Sequence, residues 1–264
     1  MVDNISDSGI KELMTRFKLI DIREQYMDLI REAEKNSYSY KDFLISLLKV
    51  ERDGKDLRRR QLLTDNACFE STAVLEDIDY GFNPSLDKGK IDSLSTLDFI
   101  IRHENIIIIG PPGVGKSMIS TGLGRKACNA GYKVLFINAK ELVDKMYGEM
   151  IEGNLQEFLK RLKKIDLLII DELSYIKMDK ERESLFFQII RQRYEKSSLI
   201  ITTNLPMGRW NELFTGQLAA TAILDRLLHH CHVLSISGES YRVKGSKDSV
   251  KKKRGTINGQ EKNS

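Results

Sequence analysis

Four consecutive isoleucines, Ile106 to Ile109, run directly into Gly110-Pro111-Pro112-Gly113-Val114-Gly115-Lys116-Ser117, which matches the pattern G-x-x-x-x-G-K-[ST] at every fixed position. A tight loop between a buried strand and a helix can point successive backbone N–H groups at a polyphosphate only if side chains stay out of the way. Gly110, Gly113 and Gly115 meet that demand. A helix opening near Lys116 adds its positive end to the same anion, Lys116 reaches the β- and γ-phosphates, and the Ser117 hydroxyl is placed to ligate Mg²⁺. Pro111, Pro112, Val114 and Met118 complete the segment expected to hold ATP. The chemistry implied is handling of a nucleoside triphosphate.

A second run, Leu167-Leu168-Ile169-Ile170, closes on Asp171-Glu172. A buried strand would thereby deliver two carboxylates to the edge where the phosphates lie. Asp171 would hold Mg²⁺ through water, and Glu172 would orient and deprotonate the attacking water. An aspartate ending a strand can instead cap the next helix. Asn204, behind Leu199-Ile200-Ile201-Thr202-Thr203, can position the same water or sense the γ-phosphate; the competing reading is a turn-forming Asn before Leu205-Pro206.

The elements that must carry these groups alternate. Apolar runs at 106–109, 134–137, 167–170, 199–201 and 232–236 are separated by helical patterns through Leu142 and Met146 and through Leu185 and Ile189. Near-continuous apolar strands between helices predict an α/β fold, a parallel sheet sandwiched by helices, with ligands at the carboxyl ends of the strands. Residues 1–75 show helical spacing instead, with Ile22, Tyr26, Leu29 and Ile30 on one stripe and Phe43, Leu44, Leu47 and Leu48 on another. Ser39 and Asp42 resemble a capping box, and Gly54 is a candidate interruption of the helix that follows. We expect a helical N-terminal domain over 1–75, a Gly- and Pro-containing connector over 76–90, an ATPase domain over 91–243 and a basic tail over 244–264. Arg52, Lys55, Arg58, Arg59 and Arg60 read either as a surface for a phosphate backbone or as a solvated helix face. The lack of interleaved aromatics argues against base stacking.

Composition limits the remaining options. The chain has 264 residues, 41% hydrophobic and 30% charged, enough for one sizeable core and a smaller unit. Its first residues are polar and acidic, and no stretch approaches the roughly 18 uninterrupted apolar residues of a membrane span. A soluble, cytoplasmic protein without membrane partners is expected. Cys68, Cys128 and Cys231 are odd in number and far apart, which fits reduced thiols. His229, His230 and His232 beside Cys231 are adjacent residues that cannot all converge on one ion, so no metal is assigned to them. Lys244, Lys247, Lys251, Lys252, Lys253, Arg254 and Lys262 outweigh Asp248 and Glu261, which places the net charge of +4 essentially in the tail. Such a tail reads as disordered, either solubilising or screening phosphate charge without sequence preference.

The order of phosphate loop, Asp-Glu strand and strand ending in Asn resembles AAA+ ATPases, specifically DnaC-type helicase loaders and IstB-like transposition helpers. Leu224-Asp225-Arg226-Leu227-Leu228-His229-His230-Cys231, Gly238-Glu239-Ser240-Tyr241-Arg242 and Leu75-Glu76-Asp77-Ile78-Asp79-Tyr80 look like signatures of the IstB-like proteins, so the resemblance runs from about residue 18 to residue 243. It implies that ATP sits between neighbouring subunits of a homo-oligomer, with Arg226 matching the arginine finger and Arg242 the second sensor. Arginine fingers contribute about 10³-fold to 10⁵-fold; the plain alternative for Arg226 is a surface ion pair with Asp225 or another neighbour. Few and polar residues follow 236, so the C-terminal helical lid of most AAA+ proteins is expected to be reduced or absent. The N-terminal unit and the neighbouring subunit would then enclose the nucleotide.

For function, the resemblance implies ATP-dependent assembly on duplex DNA, DNA remodelling and stimulation of the transposase of the same insertion sequence. One alternative is a helicase loader acting on a replicative helicase and single-stranded DNA. A second is a DNA-bending scaffold that uses ATP only as an assembly switch; Glu172 argues against it, since a pure switch needs no catalytic base.

Overall fold

The helical periodicity near the N-terminus is realised as α1 (Asp7–Arg16), α2 (Ile20–Lys35) and α3 (Tyr40–Asn66) in a computed structural model that describes residues 6–175, 178–238 and 240–241. Ser39 opens α3: the Asp42 N–H donates to its Oγ at 3.2 Å, and that hydroxyl donates to the Asp42 carboxylate at 2.6 Å. Gly54 does not interrupt this helix. It is the point where Asp21 presses against α3, and a Cβ there would lie 2.0 Å from the Asp21 carboxylate. Arg58 grips the same carboxylate with two hydrogen bonds of 2.8 and 2.7 Å. Buried Glu51 accepts the Asp21 and Ile22 N–H groups at 3.0 and 3.2 Å, capping α2, whose own N-cap Leu19 has no side-chain acceptor. The basic stretch on α3 is therefore partly consumed within its own unit: Arg58 on Asp21, Lys55 on Glu51 and Arg52 on Asp53. Arg59 and Arg60 are exposed.

A first compact unit ends at Leu62 and a second begins at Leu63, so the division falls inside α3 and not within 76–90. The reason is apolar burial. Ala67, Ile78 and Leu86 join the same hydrophobic core as Phe136 and Ile169, and the Phe136 N–H donates to the Ala67 carbonyl at 2.8 Å. Gly and Pro among these residues turn the chain, but the side chains between them are core.

The second unit is built on β1 (Asn105–Ile109), β2 (Val134–Asn138), β3 (Leu167–Asp171), β4 (Ser198–Thr203) and β5 (Cys231–Ser235), all parallel in the order β2-β3-β4-β1-β5. Every residue of β3 and β4 is buried, as expected for strands covered on both faces. Alternate residues feed opposite layers: Ile107 packs with Leu142, Met146, Phe186 and Trp210, whereas Ile106 and Ile108 pack with Ile119, Leu123 and Phe136. The layers contain α4 (Lys88–Leu94), α5 (Asp98–Ile101), α6 (Lys116–Asn129), α7 (Ala139–Ile151), α8 (Leu155–Lys163), α9 (Lys180–Arg193) and α10 (Gln217–Leu228).

Two buried charges lock this unit. Arg193, 2% exposed, donates to the carbonyls of Leu162, Ile165, Asp166 and Ser198 at 2.8–3.2 Å, joining the end of α8 to the starts of β3 and β4. Burial pushes its pKa down to about 10. Glu183 of α9 accepts the Thr215 and Gly216 N–H groups at 2.6 and 3.2 Å, and so fixes the N-terminal end of α10.

Candidate functional site

Because the strands are parallel, the candidate residues meet at their carboxyl ends. The loop from β1 turns into α6 through Gly113 at φ +80° and Gly115 at φ +101°, left-handed values that side chains disfavour. Gly115 is the N-cap of α6, so the first turn of that helix faces the loop with its N–H groups. Lys116 Nζ donates to the Gly110 and Pro111 carbonyls at 2.8 and 2.9 Å. A cleft of about 300 Å³ opens beside the loop, lined by Pro112, Gly113, Gly115, Lys116, Ser117, Met118, Glu172, Ser174, Asn204 and Tyr241.

At the acid end, Ser117 Oγ lies 3.1 and 2.9 Å from the two oxygens of Asp171. β4 lies between β1 and β3 and places Thr202 beside them. The Thr202 hydroxyl donates to the Asp171 carboxylate and accepts the Glu172 N–H at 3.0 Å. Glu172 itself adopts φ +59°, so the chain leaves β3 through a sharp, strained turn of order 1–3 kcal/mol. Asn138, at the end of β2, donates from Nδ2 to Glu172 Oε2 at 3.3 Å while its Oδ1 accepts the Lys140 N–H at 2.9 Å. One amide thus caps α7 and holds the acid. The Asn204 N–H donates to Ser174 Oγ at 3.2 Å. Burial and the charges of Asp171, Glu172 and Glu141 hold the Glu70 carboxyl above its ordinary value. Ser117 and Asp171 provide hard oxygen donors in a negative field, a set that fits Mg²⁺.

Of the residues singled out in the sequence, the glycine loop, Lys116, Ser117, Met118, Asp171, Glu172 and Asn204 come together. Arg226 does not line this cleft. It lies on α10, donates to the Ala222 carbonyl at 2.8 Å and stands 5.1 Å over the Phe187 ring. Arg242 and the basic tail 244–264 lie outside the described residues. His232 pairs with Glu104 at 2.7 Å, while the ligand atoms of His229, His230 and Glu195 lie within 4.8 Å of one another at the surface. Asn138, Thr202, Ser174 and Tyr241 were not assigned roles from the sequence. Their signal was position, since Asn138 ends one apolar strand and Thr202 stands next to the end of another, but strand order was needed to read it.

The family model for the IstB-like ATP-binding protein matches residues 12–249. The chain belongs to the IstB-like ATP-binding protein family. It is 38% identical over 235 residues to the insertion sequence IS21 putative ATP-binding protein of Pseudomonas aeruginosa, covering 89% of each chain. It is 37% identical to the IS5376 putative ATP-binding protein of Geobacillus stearothermophilus, covering 89% of this chain and 94% of that one. Among solved structures, DnaI superposes with a TM-score of 0.51 at 22% identity over 64% of this chain and 90% of that chain. AMPPCP-bound DnaA from Aquifex aeolicus gives 0.52 at 19% identity over 70% and 56%. These likenesses identify the fold as AAA+. The family is one of ATP-binding proteins, and no helix among the described residues is long and apolar enough to cross a membrane.

Proposed function

We propose that the protein assembles on duplex DNA in an ATP-dependent manner and stimulates the transposase of its insertion sequence. The observation that carries this reading is the likeness to the IS21 protein over 89% of both chains at 38% identity, joined to the phosphate-and-acid cleft. In this reading the glycine loop and Lys116 bind the triphosphate, Ser117 and Asp171 hold Mg²⁺, Glu172 activates water and Asn204 positions it. Mg²⁺ supplies charge neutralisation on the β- and γ-oxygens. Arg226 acts on the nucleotide of a neighbouring subunit, from a helix that keeps its guanidinium on the Phe187 ring.

The test is ATP turnover and complex size on long duplex against single-stranded DNA at near-physiological salt, since phosphate-driven affinity is salt dependent. Large ATP-dependent complexes with stimulated turnover on duplex support the proposal. Preference for single strands, with little assembly on duplex, favours a helicase loader. Lys116→Ala is expected to lose ATP binding and assembly together, and Glu172→Gln to trap the ATP-bound assembly on DNA. Normal assembly by Lys116→Ala refutes the nucleotide dependence.

A further inference from the structure

The phosphate-binding part of the cleft is bordered by a single aromatic side chain among its described lining residues, Tyr241. That side chain is anchored at three points. Its backbone N–H donates to the Gly113 carbonyl at 2.9 Å, its hydroxyl donates to the Asp79 carbonyl at 3.0 Å, and its ring packs on Phe82 with centroids 4.1 Å apart. The segment carrying it is knitted to the segment carrying Phe82: Ser85 Oγ donates to the Ser237 carbonyl at 2.7 Å and accepts the Ser237 N–H at 3.0 Å. Both segments belong to the second unit. The aromatic wall is therefore part of the fold and sits directly over the phosphate loop.

Met118 borders the same space. A Cβ placed on Gly115 would lie 3.4 Å from the Met118 methyl and 3.8 Å from the Tyr241 ring edge. On one side of Gly115 are the N–H groups and Lys116 that suit phosphates; on the other are a thioether and an aromatic ring. A polarizable sulfur and a fixed ring suit a flat heterocycle, which gains from both contacts. We propose that Tyr241, backed by Phe82 and faced by Met118, is the platform for the nucleobase of the bound nucleotide. This rests on the reading of the cleft as an ATP site and adds the residues that recognise the base.

The test compares Mg²⁺-ATP with Mg²⁺-tripolyphosphate, which has the phosphates and no base, by titration calorimetry on the full chain. Base stacking on an aromatic side chain corresponds to a change of about 10-fold to 100-fold in affinity. Tyr241→Ala is expected to weaken ATP by that factor and to leave tripolyphosphate within about twofold, and Tyr241→Phe to keep ATP affinity within about threefold. Equal weakening of both ligands by Tyr241→Ala overturns the proposal, because it would mean that Tyr241 only props the loop through Gly113. Unchanged ATP affinity overturns it as well. Failure of the wild-type chain to bind either ligand would refute the ATP site itself, a different outcome from either of these.

Discussion

Thr202→Val removes one hydroxyl from between two acids while nearly conserving shape. In the structure that hydroxyl donates to the Asp171 carboxylate and accepts the Glu172 N–H, at a position with no solvent exposure. Water cannot replace it without opening the sheet. The bond to an ionised group is worth about 1.5–3 kcal/mol and the bond from the amide about 0.5–1.5 kcal/mol, so the variant should lose about 2–4 kcal/mol. For a unit of this size that corresponds to a fall in Tm of about 5–10 °C. Turnover should suffer separately, because the Glu172 N–H bond holds the left-handed turn that aims the acid. A misplacement of order 1 Å costs about 100-fold, so a fall in kcat of about 10-fold to 100-fold is expected, with ATP affinity within about threefold because the glycine loop and Lys116 are untouched. The assay is steady-state ATPase with calorimetric melting, and Thr202→Ser, which keeps the hydroxyl, should restore most of both. A valine variant with wild-type kcat and Tm would refute the inference that Thr202 couples the two acids.

Asn138→Ala removes the amide that holds Glu172 Oε2 and caps α7; about 1 kcal/mol of stability and a several-fold loss of kcat are expected, measured by melting and turnover. Arg226→Ala should bind ATP normally yet turn over at least about 10³-fold more slowly in an assembly. Mixing it with Lys116→Ala subunits should restore part of the activity; no recovery in the mixture counts against action across an interface. The Arg58 hydrogen bonds hold the Asp21 carboxyl below its ordinary value. A depressed carboxylate contributes stability that is present above the unfolded value near 3.9 and is lost as pH falls through the folded value. Asp21→Asn should therefore lower the stability of the α2–α3 pair by about 1–2 kcal/mol at pH 7, a figure discounted because the Arg58 side chain is 41% exposed. The deficit should shrink below about pH 4, as followed by hydrogen exchange of α2 amides.

The sequence displayed the parts of the site that are local and withheld those that depend on strand order. The phosphate loop and the Asp171-Glu172 pair each follow an apolar run, so their elements and their edge of the sheet could be read directly. Thr202 and Asn138 are ordinary residues at strand ends until β4 is known to lie between β1 and β3 and β2 beside β3. In the connector, Gly81, Pro84 and Gly89 advertise turns, while the buried residues among them, Ile78 and Leu86, are too few to show a period, so their place in the core was not legible. The basic stretch of α3 looked solvent-facing because the acid that takes up Arg58 lies far away in the chain, at Asp21. Remote capping by Glu51 and Glu183 is hidden for the same reason.

The charge distribution of the cleft bears on the proposed dependence of catalysis on assembly. Asp171 and Glu172 face the phosphate end, and Glu70 and Glu141 act on the same region. Among the described residues lining the cleft, Lys116 is the only cation. A triphosphate brought to this edge meets carboxylates as well as the Lys116 ammonium, so a divalent cation would offset repulsion there. Arg226 is a preformed source: its helix is pinned at one end by Glu183 and its guanidinium rests on Phe187, outside its own cleft. In the proposed action across a subunit interface, an arginine held in place on one subunit would bring positive charge to the cleft of the next. On the proposed reading, turnover would then depend on the assembly, and hydrolysis would be confined to subunits gathered on DNA.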